Sequence, residues 1–166
     1  MSNHTKFQMH LQRLLQVAFV LWIGSLFTIG VIVAPILFAT LPDRVLAGTL
    51  AGRFFYIEAW LSLGFGLFYT AYFWRVQPSV SRYPRYTDYA CLMIAILAAL
   101  QLFGLQPAIV ALREQAAALG GSVAQAPEAL RQQFGVLHGA STLIYLLQLG
   151  LGLSLLWRTH FIRLNP

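Results

Sequence analysis

Two ionisable side chains, Glu58 and His138, lie inside long runs of apolar residues in this sequence. Residues 54–74 hold no charged side chain except Glu58, and residues 132–157 hold no basic side chain except His138. A carboxyl group beside an imidazole can exchange protons near neutral pH or bind a cation. Because ionisable groups in membrane helices normally face the protein interior, we expect Glu58 to accept a hydrogen bond from His138.

Further polar residues fall at the same depth as this pair. Counted at 1.5 Å per residue from the nearest charged residue, Glu58, His138 and Gln106 lie roughly 7–10 Å inside one boundary of the apolar runs. Pro35 and Pro107 reach a similar level, and each would loosen the hydrogen-bond ladder of its helix. One face of the last run is polar at three-and-four spacing, with members His138, Ser141, Thr142, Tyr145 and Gln148. The candidate binding residues are therefore Glu58, His138, Gln106, Ser141, Pro35 and Tyr145.

Three interpretations of the Glu58–His138 pair remain open at this point. The pair is a structural contact that holds two helices in register, a site for proton or cation handling, or part of a metal or haem site. His138 and Glu58 alone supply only two ligands, which is few for zinc or copper. The other histidines lie at the opposite ends of the apolar runs. We therefore predict no cofactor and keep a haem- or copper-dependent redox protein as the alternative. The sequence has no nucleophile elbow, phosphate loop or zinc-protease motif, so we predict no catalytic residues and a non-enzymatic function.

The apolar runs predict the elements that hold these residues. The chain is 58% hydrophobic and 10% charged, whereas about 25% charge is usual for a soluble domain. About 20 apolar residues cross a bilayer as a helix, the form that satisfies backbone polar groups in lipid. Four runs reach this length, and they predict spans at about 15–41, 54–75, 88–112 and 134–157. We therefore predict an all-α integral membrane four-helix bundle, formed as one domain by residues 1–166.

Charge and small residues predict the surroundings of this bundle. The net charge is +6, but the basic residues flank the spans instead of forming a patch with aromatic residues, which indicates a lipid bilayer and no nucleic acid. Seven Lys and Arg residues lie on the side of both termini and four on the other, so both termini should be cytoplasmic. Glycines recur within the spans, which favours close helix packing and is compatible with a homodimer or larger membrane complex. The single cysteine, Cys91, excludes an internal disulfide and is expected to pack as a small hydrophobic residue.

A family resemblance supports the same arrangement. The segment LWIGSLFTIGVIVAPILF, at residues 21–38, resembles the opening of small bacterial membrane proteins classed as domain of unknown function 4149 and related to transmembrane protein 205. The segments DRVLAGTLAGRFF and FGVLHGAS fit the same pattern. The resemblance implies four spans in the bacterial inner membrane and no established reaction.

A looser similarity extends to copper-resistance D and protoporphyrinogen-oxidase-type membrane proteins. Those proteins place a histidine one to two turns before a tryptophan–glycine pair. Leu15 stands near that position here, and His10 is more than a turn away, so the similarity does not carry a haem site over to this chain. From the sequence we expect a small inner-membrane protein with a transport, tolerance or accessory role, which uses the polar cluster in the outer half of the bundle.

Overall fold

The protein is all-α in the computed structural model, which describes residues 3–76 and 86–164, and no strand occurs among them. Two π-helical segments interrupt the long helices. In chain order the elements are α1 (Asn3–Phe27), the first π-segment (Thr28–Val33), α2 (Ala34–Thr40), α3 (Arg44–Val76), α4 (Tyr86–Ala99), the second π-segment (Leu100–Leu105), α5 (Gln106–Ala118), a 3₁₀ turn (Val123–Gln125) and α6 (Glu128–Leu164).

Three continuous helical stretches are long and apolar enough to cross a membrane. They are Arg13–Thr40, Tyr86–Ala118 and Glu128–Trp157, with mean hydropathies of 2.4, 2.0 and 1.6. They cover the predicted spans 15–41, 88–112 and 134–157. The predicted span 54–75 lies on α3, which has 33 residues but is not one of the three, since Glu58 and several Tyr and Trp residues lower its hydropathy.

The surface of these helices is apolar. Leu21, Phe103 and Leu143 lie on three different stretches and are 59–68% exposed. Large apolar side chains in such numbers on a surface indicate contact with lipid or with other protein. The arginine-containing stretch 77–85, on which part of the predicted orientation depends, lies outside the described residues.

The tightest packing is at the end of the molecule nearest the chain termini. There α1 and α4 each contact both α3 and α6. Trp22 stacks on Phe65 with ring centroids 4.0 Å apart, and Leu26, Ile94 and Cys91 are at most 1% exposed. The buried position of Cys91 agrees with its expected packing role.

Only some of the glycines mediate the close helix contacts that were expected of them. A Cβ on Gly66 would lie 2.7 Å from the backbone nitrogen of Ala95, so α3 and α4 touch at this point. Gly30 and Gly152 are similarly enclosed by side chains. At five other glycines within or at the edges of the predicted spans, a Cβ would meet nothing within 4 Å among the described residues of the chain: Gly24, Gly64, Gly135, Gly139 and Gly150.

Both π-segments end directly before a proline-containing turn. Pro35 and Pro107 each occupy the first turn of the helix that follows. Proline lacks an N–H group, and its ring collides with the carbonyl four residues earlier in a regular α-helix. The π-helical segments avoid this collision because their N–H groups bond to the carbonyl five residues earlier. Ala34 N–H bonds to the carbonyl of Ile29, and Gln106 N–H bonds to that of Gln101. The prediction that the two prolines alter the ladder is confirmed.

Candidate functional site

A cavity of about 1270 Å³ lies between α2, α3, α5 and α6, in the half of the molecule farther from the termini. We call it the loop-side cavity. Its loop end is formed by residues 120–125, and its inner end reaches Glu58, Gln101 and Gln148. Five of the six candidate residues line it, namely Glu58, His138, Gln106, Ser141 and Tyr145. Pro35 does not line the cavity; it lies in the first turn of α2, directly after the first π-segment.

The polar face predicted for the last span is the face that α6 turns toward this cavity. All five members line it: His138, Ser141, Thr142, Tyr145 and Gln148. Two of them also bond back to the protein, since Thr142 donates to the carbonyl of His138 at 3.0 Å and Gln148 donates to that of Ile94 at 3.3 Å.

Glu58 is almost completely buried, with 1% of its surface exposed, and its partner is not the expected one. Its Oε1 accepts a hydrogen bond from Ser25 Oγ at 3.2 Å, and its Oε2 has no hydrogen-bond partner within residues 3–76 and 86–164. The predicted bond from His138 is therefore wrong, although both side chains line one cavity. The rotation of α3 brings Glu58 to α1, while the His138 ring lies parallel to that of Phe134, 5.8 Å away.

A short polar network joins α1 to α3 beside the carboxyl group. Ser25 also donates to the carbonyl of Trp22 at 2.8 Å, and Trp22 Nε1 donates to Ser62 Oγ at 3.0 Å. Ser62 shares a helix face with Glu58 as expected, but it is fully buried against α1. The sequence analysis missed Trp22 and Ser25, whose three-residue spacing within an apolar span was the available signal.

Tyr145 joins α6 to the first π-segment. Its hydroxyl donates to the carbonyl of Leu26. Leu26 lies in the last turn of α1, directly before the first π-segment, so this bond holds α6 against the start of that segment. A Cβ on Gly30 would lie 2.6 Å from Tyr145 Cε1, which is why glycine is needed there.

Gln101 ties α6 to the second π-segment in a comparable way. Its side-chain Nε2 donates to Ser141 Oγ, and no described residue donates a hydrogen bond to its Oε1. Only 6% of its surface is exposed, yet it lines the inner end of the cavity. The sequence analysis missed it, although a glutamine within an apolar run is a signal of the same kind as Gln106.

The loop end of the cavity is basic. Arg113 Nη2 donates to the carbonyl of Gly48 at 3.4 Å, and its guanidinium lies 5.7 Å from the Phe134 ring centroid. In the stretches 3–76 and 86–164 the structure contains one ion pair, between Arg131 and Glu128 at the start of α6. Arg113 therefore has no acidic partner in the part of the chain that is described.

No group of three or more His, Cys, Asp or Glu side chains in the described residues is arranged to hold a metal ion. The two side chains considered as metal ligands, His138 and Glu58, are both on the cavity wall, without a third such group beside them.

Comparison with known proteins gives one match. Residues 17–118 match the family model described as Domain of unknown function (DUF4149), which covers more than half of the sequence. The chain belongs to this family. The matched part of the DUF4149 protein carries Glu58, Gln101 and Gln106, while α6 with His138, Ser141 and Tyr145 follows it. No curated protein and no solved structure matches the chain.

Proposed function

We propose that this DUF4149 protein is a four-helix bundle of the bacterial inner membrane, with α3 as its fourth span and both termini in the cytoplasm. At 1.5 Å per residue, 33 residues extend roughly 50 Å, which exceeds the hydrocarbon thickness of about 30 Å. Ile57, Leu61 and Phe68 on α3 are 52–56% exposed, as are apolar side chains on the other long helices. An α3 outside the bilayer would leave this surface in water.

The function that the geometry supports best is ligand binding without catalysis, in a transport, tolerance or accessory role. The observation that carries this proposal is a cavity of about 1270 Å³ that runs from the loop at residues 120–125 to the buried carboxyl group of Glu58. Ionisable side chains at membrane depth are costly to bury, and where they face a cavity they mark substrate or ion pathways. The proposal requires that the cavity be accessible from the outer side of the membrane.

Thiol labelling tests this access. The only native cysteine, Cys91, is 1% exposed and should not be labelled. Thr142→Cys places a thiol on the cavity wall, and Leu143→Cys places one on the neighbouring lipid-facing surface. We expect a membrane-impermeant maleimide added to intact cells to label Thr142→Cys, because the cavity admits aqueous solutes. Leu143→Cys should stay unlabelled, since maleimides react with thiolates and thiols in lipid are not ionised.

A loop variant makes a negative result interpretable. Ser122→Cys lies at the loop end of the cavity and should be labelled in intact cells whether or not the interior is accessible. Labelling of Ser122→Cys without Thr142→Cys would contradict the proposed cavity access. Equal labelling of Thr142→Cys and Leu143→Cys would show that reactivity does not follow the cavity wall.

A further inference from the structure

Glu58 presents a buried acceptor atom that the protein does not use. Its side chain is 1% exposed and lines the loop-side cavity. Oε1 accepts a hydrogen bond from Ser25, and Oε2 has no hydrogen-bond partner among the described residues. A buried polar atom without a partner destabilises a protein, so such atoms are rare in native structures.

A second such atom lies at the same end of the cavity. Gln101 Nε2 donates a hydrogen bond to Ser141 Oγ, and Gln101 Oε1 has no hydrogen-bond partner in the part of the chain that the structure describes. Gln101 belongs to the second π-segment, and this segment contacts both α3, which carries Glu58, and α6. Two packed elements therefore place unpartnered, buried acceptor oxygens in the wall at the inner end of the cavity.

No donor among the described residues meets these oxygens. Arg113, on the cavity wall, has no acidic partner among the described residues and donates to the carbonyl of Gly48; a Cβ on Gly52 would lie 3.4 Å from its Nη1. Six residues separate Gly52 from Glu58, which is roughly 9 Å along α3. The cavity thus has acceptors at its inner end and a cation toward its loop end.

The size and lining of the cavity indicate what would supply the donor. A volume of about 1270 Å³ exceeds the range of about 300–1,000 Å³ usual for small-molecule sites, and a water molecule takes about 30 Å³. Val31, Ala34, Leu146 and Leu149 add apolar wall between the polar ends. An inorganic cation prefers six or more oxygen ligands, and the two unpartnered oxygens, Glu58 Oε2 and Gln101 Oε1, supply only two of them.

We propose that the inner end of the loop-side cavity binds the hydrogen-bond-donating head, an ammonium or a hydroxyl group, of an amphipathic organic molecule. Glu58 Oε2 and Gln101 Oε1 accept from the head, and the apolar body lies along the cavity toward the loop end. This inference rests on the proposed ligand-binding function and adds the chemical class of the ligand.

Three probes of equal chain length test it on the full chain purified in detergent: hexylamine, hexanol and hexyltrimethylammonium. Calorimetric titration measures the Kd of each. We expect hexylamine or hexanol to bind at least about tenfold more tightly than hexyltrimethylammonium, which has no N–H or O–H to donate. The stronger of the first two identifies the head as ammonium or hydroxyl.

Matched variants locate the binding. Glu58→Gln and Gln101→Leu should each weaken binding of the preferred probe about tenfold. Glu114→Gln and Gln115→Leu make the same chemical changes on the exposed side of α5, outside the cavity wall, and should leave the Kd unchanged. Glu58→Gln also changes a buried group that supports the fold, so the Gln101→Leu variant provides an independent measurement of binding.

Several results would overturn the inference. Equal affinity for all three probes, no binding of any probe, or an unchanged Kd in both cavity variants would each do so. A sodium-dependent rise in Tm that disappears in Glu58→Gln, without amine or alcohol binding, would assign the site to an inorganic cation instead. If all three probes bind equally but Thr142→Trp, which fills the cavity, abolishes binding, the proposed function stands and only the donor head is wrong.

Discussion

Gly66→Ala should destabilise the protein by about 3 kcal/mol, the largest effect we expect from a single added methyl group. The new Cβ would lie 2.7 Å from the backbone nitrogen of Ala95, 2.9 Å from its Cβ and 2.9 Å from the carbonyl oxygen of Cys91. Two of these three atoms belong to the backbone of α4, so no side-chain rotation relieves the collision. The helices α3 and α4 must separate along their contact. Unfolding in mixed micelles with increasing sodium dodecyl sulfate measures the loss.

Gly64→Ala is the matched control, because it makes the same change two residues earlier on α3. A Cβ at Gly64 meets nothing within 4 Å, and alanine favours a helix over glycine by about 1 kcal/mol. We expect its free energy of unfolding to stay level or to rise slightly. Equal losses in the two variants would show that α3 does not approach α4 through Gly66.

Gly30→Ala should destabilise the protein by about 2 kcal/mol through displacement of Tyr145. The added Cβ would lie 2.6 Å from Tyr145 Cε1. The ring has little freedom to retreat, because its hydroxyl is bonded to the Leu26 carbonyl and its edge packs against Phe55, with centroids 4.9 Å apart. The collision therefore breaks the hydrogen bond to the Leu26 carbonyl, the aromatic contact with Phe55, or both.

A double-mutant cycle isolates this contact. In a Tyr145→Leu background the ring is absent, so Gly30→Ala should have little further effect on the free energy of unfolding. Gly24→Ala, on the same helix and with nothing within 4 Å of its Cβ, is the neutral control. Additive losses for Gly30→Ala and Tyr145→Leu would contradict the insertion of Tyr145 beside the first π-segment.

The features that depend on local periodicity were predictable from the sequence. Apolar runs placed the long helices, and three-and-four spacing identified the face of α6 from His138 to Gln148 that lines the cavity. The positions of Pro35 and Pro107 indicated where the helical ladder changes. Each of these properties is set by residues within a few turns of one another.

The features that depend on how helices rotate against each other were not predictable in the same way. Spacing shows that Glu58 and Ser62 share a face, but not whether that face meets α1 or α6. The structure turns it toward Ser25 and Trp22, so the bond to His138 does not form. Gly30 and Gly24 look alike in sequence for the same reason, although only Gly30 faces a ring.

The central claim is that α3 crosses the bilayer and carries Glu58 to the inner end of a membrane-embedded cavity. The location of the two chain termini tests it most directly, because a fourth span decides whether they lie on one side of the membrane or on both. Alkaline phosphatase is active only in the periplasm, so one fusion before Met1 and another after Pro166 report the two positions. We predict that both fusions are inactive, with both termini in the cytoplasm. Activity of one fusion alone would leave three spans, place α3 outside the bilayer and contradict the account.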